Sequence, residues 1–137
     1  MRFEAAENEL EDVVSYLQLY IEQIPILTFS GEVGAGKTTL IKALGKSIGI
    51  EEHISSPTFG LVHSYDSLAG EVFHSDWYRI NSIEELFEAG IDEGLDHGIW
   101  FIEWPEMGSD LLSNRPYIEV KINGVESRRR YHISMFN

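Results

Sequence analysis

The clearest chemistry in the chain lies in Gly31-Glu32-Val33-Gly34-Ala35-Gly36-Lys37-Thr38-Thr39, which follows the phosphate-loop pattern Gly-x-x-x-x-Gly-Lys-Thr. Glycines at this spacing let successive backbone N–H groups turn inward around phosphate oxygens, and a helix that starts at the loop adds the positive end of its dipole. Lys37 is then expected to reach the β- and γ-phosphates and the Thr38 hydroxyl to ligate Mg²⁺. The bland alternative is a glycine-rich turn with a solvated lysine. It is the weaker reading, because the pattern also sits between a strand-like and a helix-like segment, as the chemistry requires.

Such a loop needs a carboxylate at the end of a neighbouring strand to hold the metal or its water and to orient the attacking nucleophile. Glu103, closing the apolar run Ile99-Trp100-Phe101-Ile102, is placed for that work. Asp76, closing Val72-Phe73-His74-Ser75, is the second candidate, and both can serve one Mg²⁺; the plain alternatives are a carboxylate leaving a strand for solvent and an Asp in a turn. Arg79 would either stabilise transition-state charge or pair with an acidic neighbour. Of Arg128, Arg129 and Arg130, one is a candidate to reach the nucleotide while the others stay in solvent. Thr58, after Ser56-Pro57, reads equally as a γ-phosphate contact on a switch-like loop or as ordinary turn chemistry. The five histidines show no metal-ligand spacing and are assigned no metal. Trp104 directly follows Glu103 and would line either the site or a partner surface.

The elements that must position these residues can be traced by periodicity. Leu10, Val13, Val14, Leu17, Tyr20 and Ile21 recur at helical spacing and predict an amphipathic helix over about 7–21. Pro25 blocks its continuation, and Ile26-Leu27-Thr28-Phe29-Ser30 reads as a buried parallel strand stopping at Gly31. Leu40, Ile41, Leu44 and Ile48 form the stripe of a helix from Lys37 to Ile48, capped by Gly49. Strands are predicted at Thr58 to Tyr65 and Val72 to Asp76 around a turn at Asp66 to Gly70. Ser82 and Glu85 have the form of a capping box for a helix from Ile83 to about Ala89, closed by Gly90. Ile99 to Ile102 predicts a strand buried on both faces. Tyr117 to Ile122 and Arg130 to Phe136 alternate about Asn123-Gly124 and predict a closing antiparallel pair. The expected fold is α/β: one P-loop NTPase-like domain over residues 1–137, with a mostly parallel central sheet flanked by helices and antiparallel C-terminal strands.

Composition bounds what such a domain can do. At 137 residues, 43% hydrophobic and 24% charged, the chain suits one globular domain. Ten Lys plus Arg against 23 Asp plus Glu leave a formal charge of −13, which repels nucleic-acid backbones and anionic lipid and argues against autonomous nucleic-acid binding. The absence of cysteine excludes disulfides, thiolate metal sites and a Cys nucleophile, and suits a reducing compartment. No signal peptide or membrane span is read, so the cytoplasm is the default location.

ATP is the expected nucleotide, because neither the Asp-x-x-Gly nor the Asn-Lys-x-Asp of GTPases occurs. A small-molecule kinase would be cramped for an acceptor pocket and lid. Beyond the loop, Ser56-Pro57-Thr58-Phe59, His74-Ser75-Asp76-Trp77-Tyr78-Arg79, Glu84-Glu85-Leu86 and Ile102-Glu103-Trp104-Pro105-Glu106 resemble, in order and spacing, the bacterial TsaE family over essentially the whole chain. Val33 stands where that family usually has Leu, and Ser75 and Trp77 replace its more common apolar residues. The resemblance implies a small ATPase, using ATP and Mg²⁺, required for the threonylcarbamoyladenosine modification beside the tRNA anticodon. It further implies docking on the TsaB and TsaD pair, with tRNA engaged only through that complex. Carried over by motif, Gly34, Ala35, Gly36, Lys37, Thr38 and Thr39 would bind the phosphates, and Thr38 and Glu103 would hold Mg²⁺. Asp76 would assist the metal or the water, Thr58 would belong to a switch-like loop, and Arg128 would approach the nucleotide. An ATP-dependent conformational clamp with incidental hydrolysis, and the small-molecule kinase, stay open beside this reading.

Overall fold

The two ends of the chain meet in one antiparallel ladder, and the elements between them build outward from the centre of the same sheet. The computed structural model describes residues 1–32, 35–57, 61–125 and 127–137, Val125 in its backbone alone. Its first half runs β1 (Arg2–Ala6), α1 (Glu11–Gln18), β2 (Ile26–Ser30), α2 (Lys37–Ser47), β3 (Val62–Ser67) and β4 (Gly70–Asp76). Its second half runs α3 (Ile83–Glu88), α4 (Ile91–Gly94), β5 (Ile99–Glu103), a 3-10 helix (Pro105–Leu111), β6 (Tyr117–Val125) and β7 (Arg128–Phe136). Among the described residues seven strands form one sheet in the order β1-β7-β6-β2-β5-β4-β3.

The pairs β6-β2, β2-β5 and β5-β4 are parallel, and the outer pairs are antiparallel. The parallel centre is covered on both faces: all five residues of β5 and the first four of β2 are buried, apolar but for Thr28 and Glu103. One face carries α1 and α2, where Val13, Leu17, Leu40, Ile41 and Leu44 pack on Leu27, Phe29, Phe101 and Val120. The other carries α3, α4 and the 3-10 helix, where Trp77, Leu86, Ile91 and Leu111 pack on Ile26, Trp100 and Ile102. This is the α/β architecture read from the sequence, with a mixed sheet and a parallel centre.

Four boundaries differ from the sequence reading. The predicted first helix is confined to Glu11–Gln18. Before it, Arg2 to Ala6 pair with β7 as an edge strand, and after it the chain tightens into turns, with Leu19 and Tyr20 donating to the carbonyls of Tyr16 and Leu17. β3 starts at Val62, whereas the predicted strand began at Thr58, which lies outside the described residues. The C-terminal ladder continues past Asn123-Gly124 to Val125 opposite Arg128, because Arg128 to Arg130 are held on both sides, by β6 and by β1. Finally, Ser82 precedes α3 without a side-chain cap, and Glu85 Oε1 accepts instead from the Asn81 backbone N–H at 3.1 Å, so half of the capping box forms and one residue early.

Candidate functional site

Three strands of the parallel centre end at the same edge of the sheet, the place where open α/β sheets bind ligands. β2 ends at Ser30, β4 at Asp76 and β5 at Glu103, and the last two are register neighbours. From the end of β2 the glycine loop leads into α2, whose first residues are Lys37 and Thr38. Gly31 must be glycine there. Its φ of +151° is closed to other residues, and a Cβ would lie 2.5 Å from the Ile122 carbonyl oxygen.

Glu103 is 3% exposed, and its two oxygens have different partners. Oε2 accepts from His74 Nε2 at 2.7 Å, and Oε1 accepts from the Thr38 hydroxyl at 3.5 Å. The same hydroxyl lies 3.4 Å from Ser56 Oγ. Lys37, 6% exposed, donates to the carbonyls of Gly31 and Glu32 in its own loop, the latter at 3.1 Å. Its ammonium also sits 4.2 Å from the centre of the Trp104 ring, and the Trp104 and Tyr78 rings meet at a tilt of 37° with centroids 4.6 Å apart. Trp104 has φ +57°, an unusual conformation for a bulky residue, and more so directly before Pro105. Backbone strain of this kind is retained where surrounding contacts enforce it.

Burial shapes the charges. It pushes the Lys37 ammonium below its ordinary value despite the nearby Glu103, Asp76 and Glu106 carboxylates. It also pushes Asp76 above the usual carboxylate range, against the Tyr78 N–H donated to Oδ1 at 3.0 Å and the pull of His74 and Lys37, while Glu103 adds to the rise. A cleft of about 450 Å³ opens over these groups, lined by Gly36, Lys37, Thr38, Thr39, Asp76, Arg79, Glu103 and Trp104. Thr38, Asp76 and Glu103 offer only hard oxygen donors, the set that suits Mg²⁺. No cluster of three or more His, Cys, Asp or Glu able to cage a metal occurs among the described residues. That donor set fits an Mg²⁺ whose shell is completed by phosphate and water.

The structure thus gathers Gly36, Lys37, Thr38, Thr39, Asp76, Glu103, Arg79 and Trp104 at one cleft. Gly34 and Thr58 lie outside the described residues. Arg128 is placed elsewhere: it donates to the Glu4 carbonyl at 3.1 Å and faces Glu9 at 3.7 Å on the exposed side of β7. Arg129 is the arginine that reaches the loop, donating from Nε to the Ala35 carbonyl at 2.9 Å and from a terminal nitrogen to Glu7 at 3.0 Å. Strand parity explains the choice. Residues 129, 131 and 133 share a face, and Tyr131 and Ile133 are core residues, so Arg129 must point inward with them. That alternation is a signal the sequence itself carries. His74 and Ser56 stand in the quoted segments, but their contacts with Glu103 and Thr38 are not marked locally, since only strand pairing and chain folding bring them there.

An α/β domain with a glycine loop between its central strand and the next helix, and carboxylates ending the next two strands on one side of it, is the class that fold and site define. The sequence matches the family described as threonylcarbamoyl adenosine biosynthesis protein TsaE over residues 4–131. A relative from Rickettsia prowazekii, named tRNA threonylcarbamoyladenosine biosynthesis protein TsaE, is 32% identical over 127 residues, 90% of this chain and 88% of the relative. One from Haemophilus influenzae with the same name is 34% identical over 108 residues, 78% of this chain and 66% of the relative. The crystal structure of YdiB from Bacillus subtilis shares the fold, with a TM-score of 0.65 over 98% of this chain and 84% of that one at 23% identity. The chain belongs to the TsaE family, proteins of tRNA threonylcarbamoyladenosine biosynthesis. No helix among the described residues is long and apolar enough to cross a membrane.

Proposed function

We propose that this chain is a Mg²⁺-dependent ATPase that serves tRNA threonylcarbamoyladenosine biosynthesis through a complex with the TsaB and TsaD proteins, in the cytoplasm. The observation that carries the reading is the convergence of Lys37, Thr38, Asp76 and Glu103 on one cleft at the ends of parallel strands. Backbone N–H groups at the start of α2 and the Lys37 ammonium would bind the phosphates, and this requires Lys37 to leave the Gly31 and Glu32 carbonyls. Thr38 and Glu103 would hold Mg²⁺, assisted by Asp76; when bound, the ion neutralises charge on the phosphate oxygens. Asp76, with its proton affinity raised by burial, and Glu103 orient water toward the γ-phosphate, while Lys37 and Arg79 balance the developing charge. A net charge of −13 agrees with a protein that meets tRNA only through its partners.

The test is ATP turnover by the purified chain with Mg²⁺, alone and with its own TsaB and TsaD, beside Glu103→Ala. Stimulation by the pair, and a loss on the order of 10²-fold in the variant, is the expected result. Tight ATP binding with no stimulation would replace this reading with a nucleotide-dependent clamp. Labelled phosphate on an acceptor other than water would replace it with a kinase.

A further inference from the structure

We infer that His74 is a positioning residue for Glu103: its imidazole fixes one carboxylate oxygen so that the other is presented to Thr38 and the metal position. The inference rests on the proposed Mg²⁺ and nucleotide site. His74 lies two residues before Asp76 on the same face of β4, and the β4-β5 register sets Asp76 beside Glu103 and His74 beside Phe101. The ring is therefore brought against the Glu103 carboxylate by strand pairing rather than by a loop. A carboxylate can only accept, so Nε2 carries the proton and donates it to Oε2 at 2.7 Å. With Oε2 so held, Oε1 is the oxygen that faces the Thr38 hydroxyl.

The arrangement carries a cost that packing alone does not explain. The His74 side chain is 1% exposed, and its Nδ1 is buried without a hydrogen-bond partner among the described residues. An apolar side chain beside Phe101 would avoid that orphaned nitrogen. What an apolar side chain cannot do is donate to Glu103. This is the logic of groups that orient metal ligands from behind, whose loss typically lowers metal affinity or activity by about 10- to 100-fold.

The experiment compares the full-length wild type with His74→Leu, which fills volume without a donor, and His74→Gln, whose amide N–H can stand near the position of Nε2. His74→Asn, too short to reach Oε2, replaces Leu in the comparison where thermal unfolding shows the Leu variant is not folded. Mn²⁺ affinity is read by electron paramagnetic resonance in the presence of ADP, alongside metal-free ADP affinity and ATP turnover. The expected result is metal-free ADP affinity within about twofold of wild type in every variant. Mn²⁺ affinity and kcat should fall by about tenfold or more in Leu or Asn, and most of both should return in Gln. Wild-type Mn²⁺ affinity in folded Leu or Asn would overturn the inference while leaving the proposed function intact. Gln as impaired as Leu would also overturn it, assigning the position to ring packing. A wild type that binds no Mn²⁺ with ADP would instead overturn the site reading, and this inference with it.

Discussion

Exchanging Arg129 and Arg128 separately for alanine tests which arginine serves the glycine loop. Arg129 is 15% exposed at its side chain, and its contacts include the 2.9 Å hydrogen bond to the Ala35 carbonyl and the 3.0 Å ion pair with Glu7. A hydrogen bond from a charged donor contributes roughly 1.5–3 kcal/mol, and a half-exposed ion pair adds at most about 1 kcal/mol. The Ala35 carbonyl belongs to the loop itself, so losing its anchor leaves the loop to be ordered by the ligand. If that ordering is carried wholly by binding, about 1.5–3 kcal/mol translates into ATP affinity weaker by roughly 10- to 150-fold. Arg128 contacts the Glu4 carbonyl and Glu9 with 46% of its side chain in solvent. Its removal is a surface change worth about 0.5 kcal/mol or less, near twofold. Isothermal titration calorimetry with ATP and Mg²⁺ reads both variants, and thermal unfolding checks that each is folded. An Arg128→Ala protein weakened tenfold beside an Arg129→Ala protein within twofold of wild type would refute the placement.

Two further substitutions probe the same edge of the sheet, with Gly70→Ala at the far end as a control. Gly31→Ala combines a backbone conformation closed to alanine with a Cβ 2.5 Å from the Ile122 carbonyl, so it should lower stability by about 1–3 kcal/mol or more. Gly70→Ala, at φ +122° but with nothing within 4 Å, should cost less, and equal urea midpoints for the two would refute the close approach of loop and β6. Lys37→Met should abolish ATP binding while changing the pH dependence of folding in a defined sense. Burial lowers the folded-state proton affinity of Lys37, so the unfolded chain binds more protons and stability rises as pH climbs toward 10.5. Urea unfolding between pH 8 and 10.5 should lose that contribution in the variant, and an unchanged slope would refute it.

What the sequence discloses follows the physics of each element. β2, α2 and β5 are legible because a short, mostly apolar run next to a glycine, or a stripe at helical spacing, has few alternatives. β1 is not, since only Phe3 and Ala5 alternate against polar neighbours and the strand exists because β7 offers it an edge. The hairpin turn misleads for a related reason: Asn123-Gly124 is a good local turn, but arginines paired on both sides keep the ladder going. Within the site, Lys37, Thr38, Asp76 and Glu103 are marked by their place at element ends. Arg129 is marked by parity alone, and the His74 contact with Glu103 exists only once β4 and β5 are in register.

That register is the quantity on which the site depends. A slip of one residue between β4 and β5 would turn His74 and Asp76 to the opposite face and leave Glu103 buried without its donor. The far face of the sheet resists such a slip. Ser75, between His74 and Asp76, donates to the Leu61 carbonyl at 2.7 Å and accepts from the Trp77 indole N–H at 2.8 Å. Trp77 is fully buried, its backbone N–H donates to the Glu103 carbonyl at 3.1 Å, and its ring packs where Gly108 leaves room: a Cβ there would lie 2.9 Å from the indole. Ser75 and Trp77 therefore act together as one hydrogen-bonded lock on the end of β4. The lock holds Asp76 and Glu103 side by side from behind, while on the opposite face His74 and Thr38 hold the two Glu103 oxygens, so the geometry of the site is set from the core as well as from the cleft.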